Sequence, residues 1–466
     1  MEKDKISDIV SRMTLEEKAG LCSGSTDWLT KSIERLDIPS IWLTDGPHGL
    51  RKQEGKTDNL GIFESNKAVC FPAECATAAS FDRQLLTEIG DALGREGQAE
   101  NIQVLLGPGV NIKRSPLCGR NFEYFSEDPL LSGELGAAYV EGLQSRGIGA
   151  CVKHFLANSQ ETRRMTSSSE IDERTLREIY MPAFENVVKK AKPRAVMCSY
   201  NKINGKYASE SREYMTDVLR KEWGFDGTVI SDWGAVNNRV AALAAGTDLT
   251  MPTAIETDKE IVQAVEAGKL PEFLVDTACE NILQLVYKGI ESNQSSKKAD
   301  FERDHELSLH AEEQSAVLLK NEDSILPLSK EKRIAFIGSL AETPIYKGNG
   351  SSNVNAYKTS NALSEVAEFA EISYSAGYTE SGTNEQLLNH AVETAKAADI
   401  AVVFVGMTSD EGIDRPDMNL PEAQTTIIDA VSRVQQNIVV VLHTGSAIEM
   451  PWVDKAKGIL EMYYGG

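Results

Sequence analysis

Gly-Thr-Val-Ile-Ser-Asp-Trp-Gly (227–234) decides how the rest of the chain reads. A short apolar run, Thr228–Ile230, stops on a carboxylate, Asp232, and an indole, Trp233. A buried strand that ends by presenting an acid beside a flat aromatic makes a poor core. The pair suits a site that holds a sugar ring, because sugars stack on aromatic faces and carboxylates perform glycoside chemistry. The plainer alternative for Asp232 is an N-cap of the next helix.

The same arrangement recurs on both sides. Short apolar runs stand at Ile41–Thr44, Val104–Gly107, Ala150–Val152, Ala195–Cys198 and Leu249–Met251. Amphipathic helical stretches lie between them near 83–96, 130–146, 172–190, 211–223 and 257–268. Strands alternating with helices predict a parallel sheet covered by helices. Polar groups follow each run: Asp45, Asn111, Lys153-His154, Ser199-Tyr200-Asn201 and Asp232-Trp233. Functional groups at the C-terminal ends of successive parallel strands are the layout of a (β/α)8 TIM-like barrel.

At 466 residues the chain exceeds one ordinary core, and two domains are expected. The barrel is predicted over 1–290. A polar stretch, 291–304, reads as a linker. A helix is predicted at about 305–320. A second strand series follows at Arg333–Ile337, Ile400–Val405, Ile438–Leu442 and Ile459–Tyr464, an open α/β sandwich domain over 305–466. The last run ends the chain with no helix after it. This predicts a C-terminally incomplete domain whose last strand exposes an edge, to be covered by a second chain or fragment.

A net charge of −22 argues against nucleic acid and anionic membranes as partners. The N-terminus lacks the apolar stretch of a signal peptide. The seven cysteines have no Cys-x-x-Cys spacing. Reduced, buried thiols in a cytoplasmic protein are expected, with no metal site and no cofactor. Gly348–Ser352 lacks the lysine of a phosphate-binding P-loop. Sequons at Asn293 and Asn349 say nothing without secretion.

Several segments together resemble glycoside hydrolase family 3, in its β-glucosidase-like branch. They are Leu-Thr-Asp-Gly-Pro-His-Gly-Leu-Arg (43–51), Gly-Pro-Gly-Val-Asn-Ile (107–112) and Gly-Arg-Asn-Phe-Glu-Tyr-Phe-Ser-Glu-Asp-Pro (119–129). Val-Lys-His-Phe-Leu-Ala-Asn (152–158), Cys-Ser-Tyr-Asn-Lys-Ile-Asn-Gly (198–205) and Ser-Asp-Trp-Gly (231–234) continue the series. Asp-Glu-Gly-Ile-Asp-Arg (410–415) and Gly-Ser-Ala-Ile-Glu-Met-Pro-Trp (445–452) complete it.

The resemblance implies a retaining, exo-acting β-D-glucosidase that takes a small-molecule or oligosaccharide β-glucoside. It implies Asp232 as nucleophile, kept ionised by Lys153 and His154. It implies Glu411 as general acid/base with a raised pKa, ahead of the neighbouring Asp410, Asp414 and Glu422. Asp45 is implied to bind the distal hydroxyls. Arg120, Lys153 and His154 would grip the others, with Met197 and Tyr200 as walls and Trp233 as a stacking surface. Arg163 is a weaker candidate, clouded by Arg164, and Asp248 reads as structural. His443 departs from the asparagine common in relatives. A β-xylosidase/α-L-arabinofuranosidase of the same family, or a non-catalytic sugar-binding fragment, are the other readings. No Gly-x-Gly-x-x-Gly opens either domain, which disfavours a nucleotide-dependent oxidoreductase.

Overall fold

From Ser23 to Glu291 strand and helix alternate, as the apolar runs require. The computed structural model describes residues 3–58, 61–292, 298–366, 370–379, 382 and 384–466. The first parallel strands are β1 (Ser23–Gly24), β2 (Leu43–Thr44), β3 (Val104–Leu105), β4 (Gly149–Phe155), β5 (Ala195–Cys198), β6 (Thr228–Ser231) and β7 (Thr250–Thr253). Strands β2 to β6 form one parallel sheet in chain order, and β7 pairs with β1. Leu249 joins the two pieces: its carbonyl accepts from Ser231 N at 2.8 Å and its N–H donates to Val229 O at 3.0 Å.

The curl differs from the expected eight-stranded barrel. Seven parallel strands are traced among the described residues. Between β1 and β2 the chain doubles back, with antiparallel bridges Gly24–Thr30 and Leu29–Trp42. An antiparallel step stands there in place of a further parallel strand. All six predicted runs are strands; β1, only two residues long, has too little apolar pattern to be read.

Side-chain alternation sorts the strands' residues into two cores. Val104, Cys151, Ala195, Met197 and Ile230 join one cluster, while Leu105, Val152, Val196, Cys198 and Val229 join another. Period-two alternation in a doubly covered sheet produces this division. The outer cluster packs on helices Arg83–Ala99 and Pro129–Ser145. Asp82 and Asp128 cap their N-termini by accepting backbone N–H bonds. The two helices meet backbone to backbone. A Cβ on Gly90 would overlap Tyr139 O, and one on Gly142 would overlap Thr87 O.

The second sheet contains β8 (Val317–Asn321), β9 (Ile334–Ile337), β10 (Ile372–Ser375), β11 (Ile400–Gly406), β12 (Ile438–His443) and β13 (Gly458–Glu461). Its order is β8-β13-β12-β11-β9-β10, parallel except for β8. Two expectations are corrected here. The predicted helix to residue 320 ends earlier, as Phe301–Ser315, and Val317–Asn321 is a strand. That strand pairs antiparallel with β13, so the last strand is flanked on both sides and is not an edge. The edge passes to β8, where Leu318 and Leu319 are exposed. Of the expected linker, 301–304 is already helical and 293–297, with the Asn293 sequon, lies outside the described residues.

All seven cysteines are buried and unbridged. No helix among the described residues is long and apolar enough to cross a membrane. Beside β13, burial pushes the Glu461 carboxyl up to about 7 and Glu312 up to about 8. Both bind protons more tightly folded than unfolded, where a glutamate titrates near about 4.3. Their stabilising contribution is complete below that value and is lost as pH rises through about 7 to 8. Melting temperature should therefore fall across this window, and Glu312→Gln should flatten the fall.

Candidate active site

Ten side chains close on one small cavity: Asp45, Arg120, Lys153, His154, Met197, Tyr200, Asp232, Trp233, Ser351 and Glu411. Eight come from the first domain and two from the second. As they stand, the space between them admits about one water molecule. All nine residues singled out from the sequence are among the ten.

Asp232 follows β6 directly and is 6% exposed. Its Oδ1 accepts from Trp233 N at 2.8 Å, and its Oδ2 lies 3.6 Å from His154 Nε2. Asn238, not Asp232, caps the following helix, Arg239–Ala245. Burial raises the Asp232 carboxyl, while Arg120, Arg164 and the Tyr200 hydroxyl pull it down. Trp233 is held by its Nε1 donating to Asp27 O at 2.8 Å and by Trp28, whose ring centroid is 5.3 Å away.

Lys153 and His154 sit within β4, where its register with β5 shifts. Asn111 fixes the His154 backbone from both sides, accepting its N–H at 2.7 Å and donating to its carbonyl at 2.9 Å. His154 Nδ1 meets the Tyr124 hydroxyl at 3.1 Å. Burial, then Arg120, Lys153 and Arg164, push the imidazole well below its usual value. The shift favours the neutral imidazole, so His154 does not act on Asp232 as a cation. The cations that act on Asp232 are Arg120 and Arg164.

Asp45 follows β2 directly and precedes a turn over Gly46–Gly49, closed by Gly49 N donating to Gly46 O at 3.3 Å, with Gly46 at φ +121°. Its Oδ2 lies 3.2 Å from Arg51 Nη1, and its side chain lines the cavity. Burial, opposed by Lys153 and Arg51, raises its carboxyl to about 6. Arg120 is ion-paired with Glu123, which also accepts from Ser352 Oγ at 3.0 Å. Asp248 stays outside, accepting from Val229 N at 2.7 Å and from Arg220.

The second domain contributes the loop after β11. Of its carboxylates only Glu411 lines the cavity. Asp414 turns to the first domain and accepts from Gly119 N at 3.2 Å, Glu161 N at 2.9 Å and Thr162 N at 2.8 Å. Asp410 accepts from Asn349 Nδ2 at 2.5 Å. Glu422 lines a separate groove with Asp417 and Trp452. Glu411 Oε2 accepts from Ser351 N at 2.8 Å, and its Oε1 lies 2.8 Å from Arg164 Nη1 and 3.5 Å from Arg120 Nη1. Burial alone would raise Glu411. The two guanidiniums and the Ser351 contacts outweigh it and hold the carboxyl well below the usual range. This corrects the expected upward shift: in this conformation Glu411 is ionised.

Three neighbours escaped the sequence reading. Arg164 pairs with Glu411 and lays its guanidinium 4.5 Å over the Tyr200 ring, whereas Arg163 is exposed with φ +56°. Ser351 comes from Gly348–Ser352, which the family resemblance implies is an interdomain loop bordering the cleft. Glu123 is fully buried beneath Arg120 and Lys153. The Glu123 signal was present in its spacing of three from Arg120; nothing local marks Ser351.

Gly119 is where the loop and the first domain touch most closely. A Cβ there would overlap the carbonyl oxygens of Ile413 and Asp410. Gly119→Ala should cost about 1–3 kcal/mol by overpacking and displace the 410–414 loop. A urea unfolding midpoint checks the first effect, and activity loss exceeding that of a matched surface variant checks the second.

A curled parallel sheet thus carries acids and cations at its strand ends, and a second α/β domain completes the cavity lining. The chain belongs to glycosyl hydrolase family 3: the family's N-terminal domain matches residues 3–285 and its C-terminal domain residues 316–466. It is similar to thermostable beta-glucosidase B of Acetivibrio thermocellus, 52% identical over 99% of this chain and 62% of that protein. It is also similar to an exo-alpha-(1->6)-L-arabinopyranosidase of Bifidobacterium longum, 43% identical over 98% of this chain and 63% of that protein. The crystal structure of a Bifidobacterium adolescentis GH3 beta-glucosidase superposes with a TM-score of 0.92 at 42% identity, over 98% of this chain and 67% of that one. The chain thus spans under two thirds of the length of these two curated relatives.

Proposed function

We propose that this protein is a retaining, exo-acting β-D-glucosidase. The observation that carries the reading is the joining of Asp232 and Glu411, from different domains, in the lining of one cavity with Arg120, Lys153 and His154. Family membership and the 52% identity to a beta-glucosidase support it. We place the catalytic domain at 1–290 and the sandwich domain at 305–466.

In this reading Asp232 attacks the anomeric carbon while Glu411 protonates the departing oxygen. Glu411 then takes a proton from water, which releases the sugar. Asp45, Arg120, Lys153 and His154 bind hydroxyls, neutral His154 acting as donor or acceptor. Met197, Tyr200 and Trp233 shape the walls. Arg120 and Arg164 hold the Glu411 carboxylate in the sugar-free site. Once those guanidiniums engage substrate hydroxyls, burial is the force left on Glu411, and burial raises a carboxyl.

Two measurements test this. Proton NMR of the first-formed sugar from a 4-nitrophenyl β-D-glucoside should show the β anomer, as double displacement requires. The α anomer as first product would sink the retaining mechanism. Rates on matched β-D-xyloside, α-L-arabinofuranoside and α-L-arabinopyranoside should fall below the glucoside rate. The last is included because the Bifidobacterium longum relative bears that specificity in its name. A pentoside rate exceeding the glucoside rate would transfer the assignment to that sugar.

A further inference from the structure

Arg164 divides one nitrogen between two carboxylates. Its Nη1 lies 2.6 Å from Glu161 Oε2 and 2.8 Å from Glu411 Oε1. The same Glu161 oxygen accepts the N–H of Gly412, the residue after Glu411, at 2.7 Å. One oxygen therefore holds both the guanidinium opposite Glu411 and the backbone beside it. Glu161 is 2% exposed, and its own N–H is bound by Asp414 at 2.9 Å. It does not line the cavity.

We propose that Glu161 is a positioning residue that fixes the Glu411 carboxylate in place and governs its proton affinity by sharing Arg164. The proposal rests on the reading of Glu411 as acid/base. The charged and titratable groups around Glu411 are Arg120, Arg164 and Lys153 as cations and Asp45, Glu123, Glu161 and Asp232 as carboxylates, with the Tyr200 phenol and the His154 imidazole. Each of the two arginines has a second carboxylate of its own, Glu123 for Arg120 and Glu161 for Arg164. Neutralising Glu161 leaves the charge of Arg164 undivided on Glu411 and removes a repelling neighbour. Both changes favour ionised Glu411, so its proton is lost at lower pH.

The test is the pH profile of kcat, whose alkaline limb reports the general acid in the enzyme–substrate complex. Glu161→Gln is nearly isosteric and still offers an oxygen to Gly412 N–H. On phenyl β-D-glucoside, a poor leaving group, its alkaline limb should move to lower pH by about one unit. Glu161→Asp retains the charge and should leave the limb near that of the wild type. It should nonetheless lose more rate on the phenyl than on the 2,4-dinitrophenyl glucoside, because the shorter side chain releases Gly412.

A folded Glu161→Gln with an unmoved limb, beside an impaired Glu411→Gln, overturns the proposal alone. Full activity of Glu411→Gln on phenyl glucoside overturns the underlying reading and the proposal with it. Should Glu161→Gln fail to fold, Glu161→Asp decides: equal losses on the two glucosides would overturn the positioning role.

Discussion

Asp232→Ala lowers kcat on aryl β-glucosides by about 10⁴-fold or more, as expected when a covalent nucleophile is removed. The fold should survive. Asp232 is a buried carboxylate with an unpartnered Oδ2, and burial disfavours its charge. Removing it relieves that cost and leaves the Trp233 N–H and the Tyr200 hydroxyl without this acceptor. Melting temperature should therefore hold or rise while activity disappears. Active sites commonly trade stability for function in this way. Azide provides the decisive product. It can enter the space left by the carboxylate and attack the substrate directly, giving the α-glucosyl azide. An Asp232→Ala protein within about tenfold of wild type in kcat would rule out the nucleophile assignment.

Glu411→Ala should split substrates by leaving group. Glucosides that need a proton on the departing oxygen should lose about 10²–10⁴-fold, the usual worth of general acid–base catalysis. The 2,4-dinitrophenyl glucoside departs unaided, so its glucosyl-enzyme should form readily and then wait for an activated water. Added azide should release it as the β-glucosyl azide, opposite in configuration to the Asp232→Ala product. A uniform loss over all leaving groups, unaffected by azide, would remove Glu411 from the acid/base role. The alanine also unpairs Arg164 partly, but Glu161 remains at 2.6 Å to satisfy it. The Ser351 N–H loses its acceptor and Arg120 one of its two carboxylates, so melting temperature should fall.

The parts that the sequence made legible share a physical cause. Strands β2 to β7 are runs of buried β-branched and small apolar residues, and a parallel sheet covered on both faces demands such runs. The residues at their C-terminal ends sit in the cavity because all these strands point the same way. Asp45, Lys153, His154, Tyr200 and Asp232 could therefore be gathered from one-dimensional spacing.

What was missed depends on contacts between distant segments. Arg164 finds Glu411 across 247 residues, and nothing near it in the chain says which of two adjacent arginines turns inward. Charge states are hidden for the same reason. The place of His154 beside Asp232 does not reveal its charge state: burial, then Arg120, Lys153 and Arg164 converging on it, disfavour the protonated ring. Glu411 was expected to be protonated by desolvation, and the arginines overturned that. In the second domain, Val317–Asn321 continued a helical pattern, and only its pairing with β13 shows it as a strand.

The loop of 410–414 belongs by chain to one domain and by hydrogen bonding to the other, through Gly119, Glu161, Thr162 and the 2.8 Å bond from Arg415 N to Leu117 O. Modular exchange between family members should respect that ownership. A chimera that imports a foreign sandwich domain should transplant residues 117–121 and 158–164 with it, since those segments form the socket for the imported loop. Turnover would also serve as a gauge of domain docking. In mild denaturant it should vanish before far-ultraviolet ellipticity changes, as the two domains part while each keeps its strands and helices.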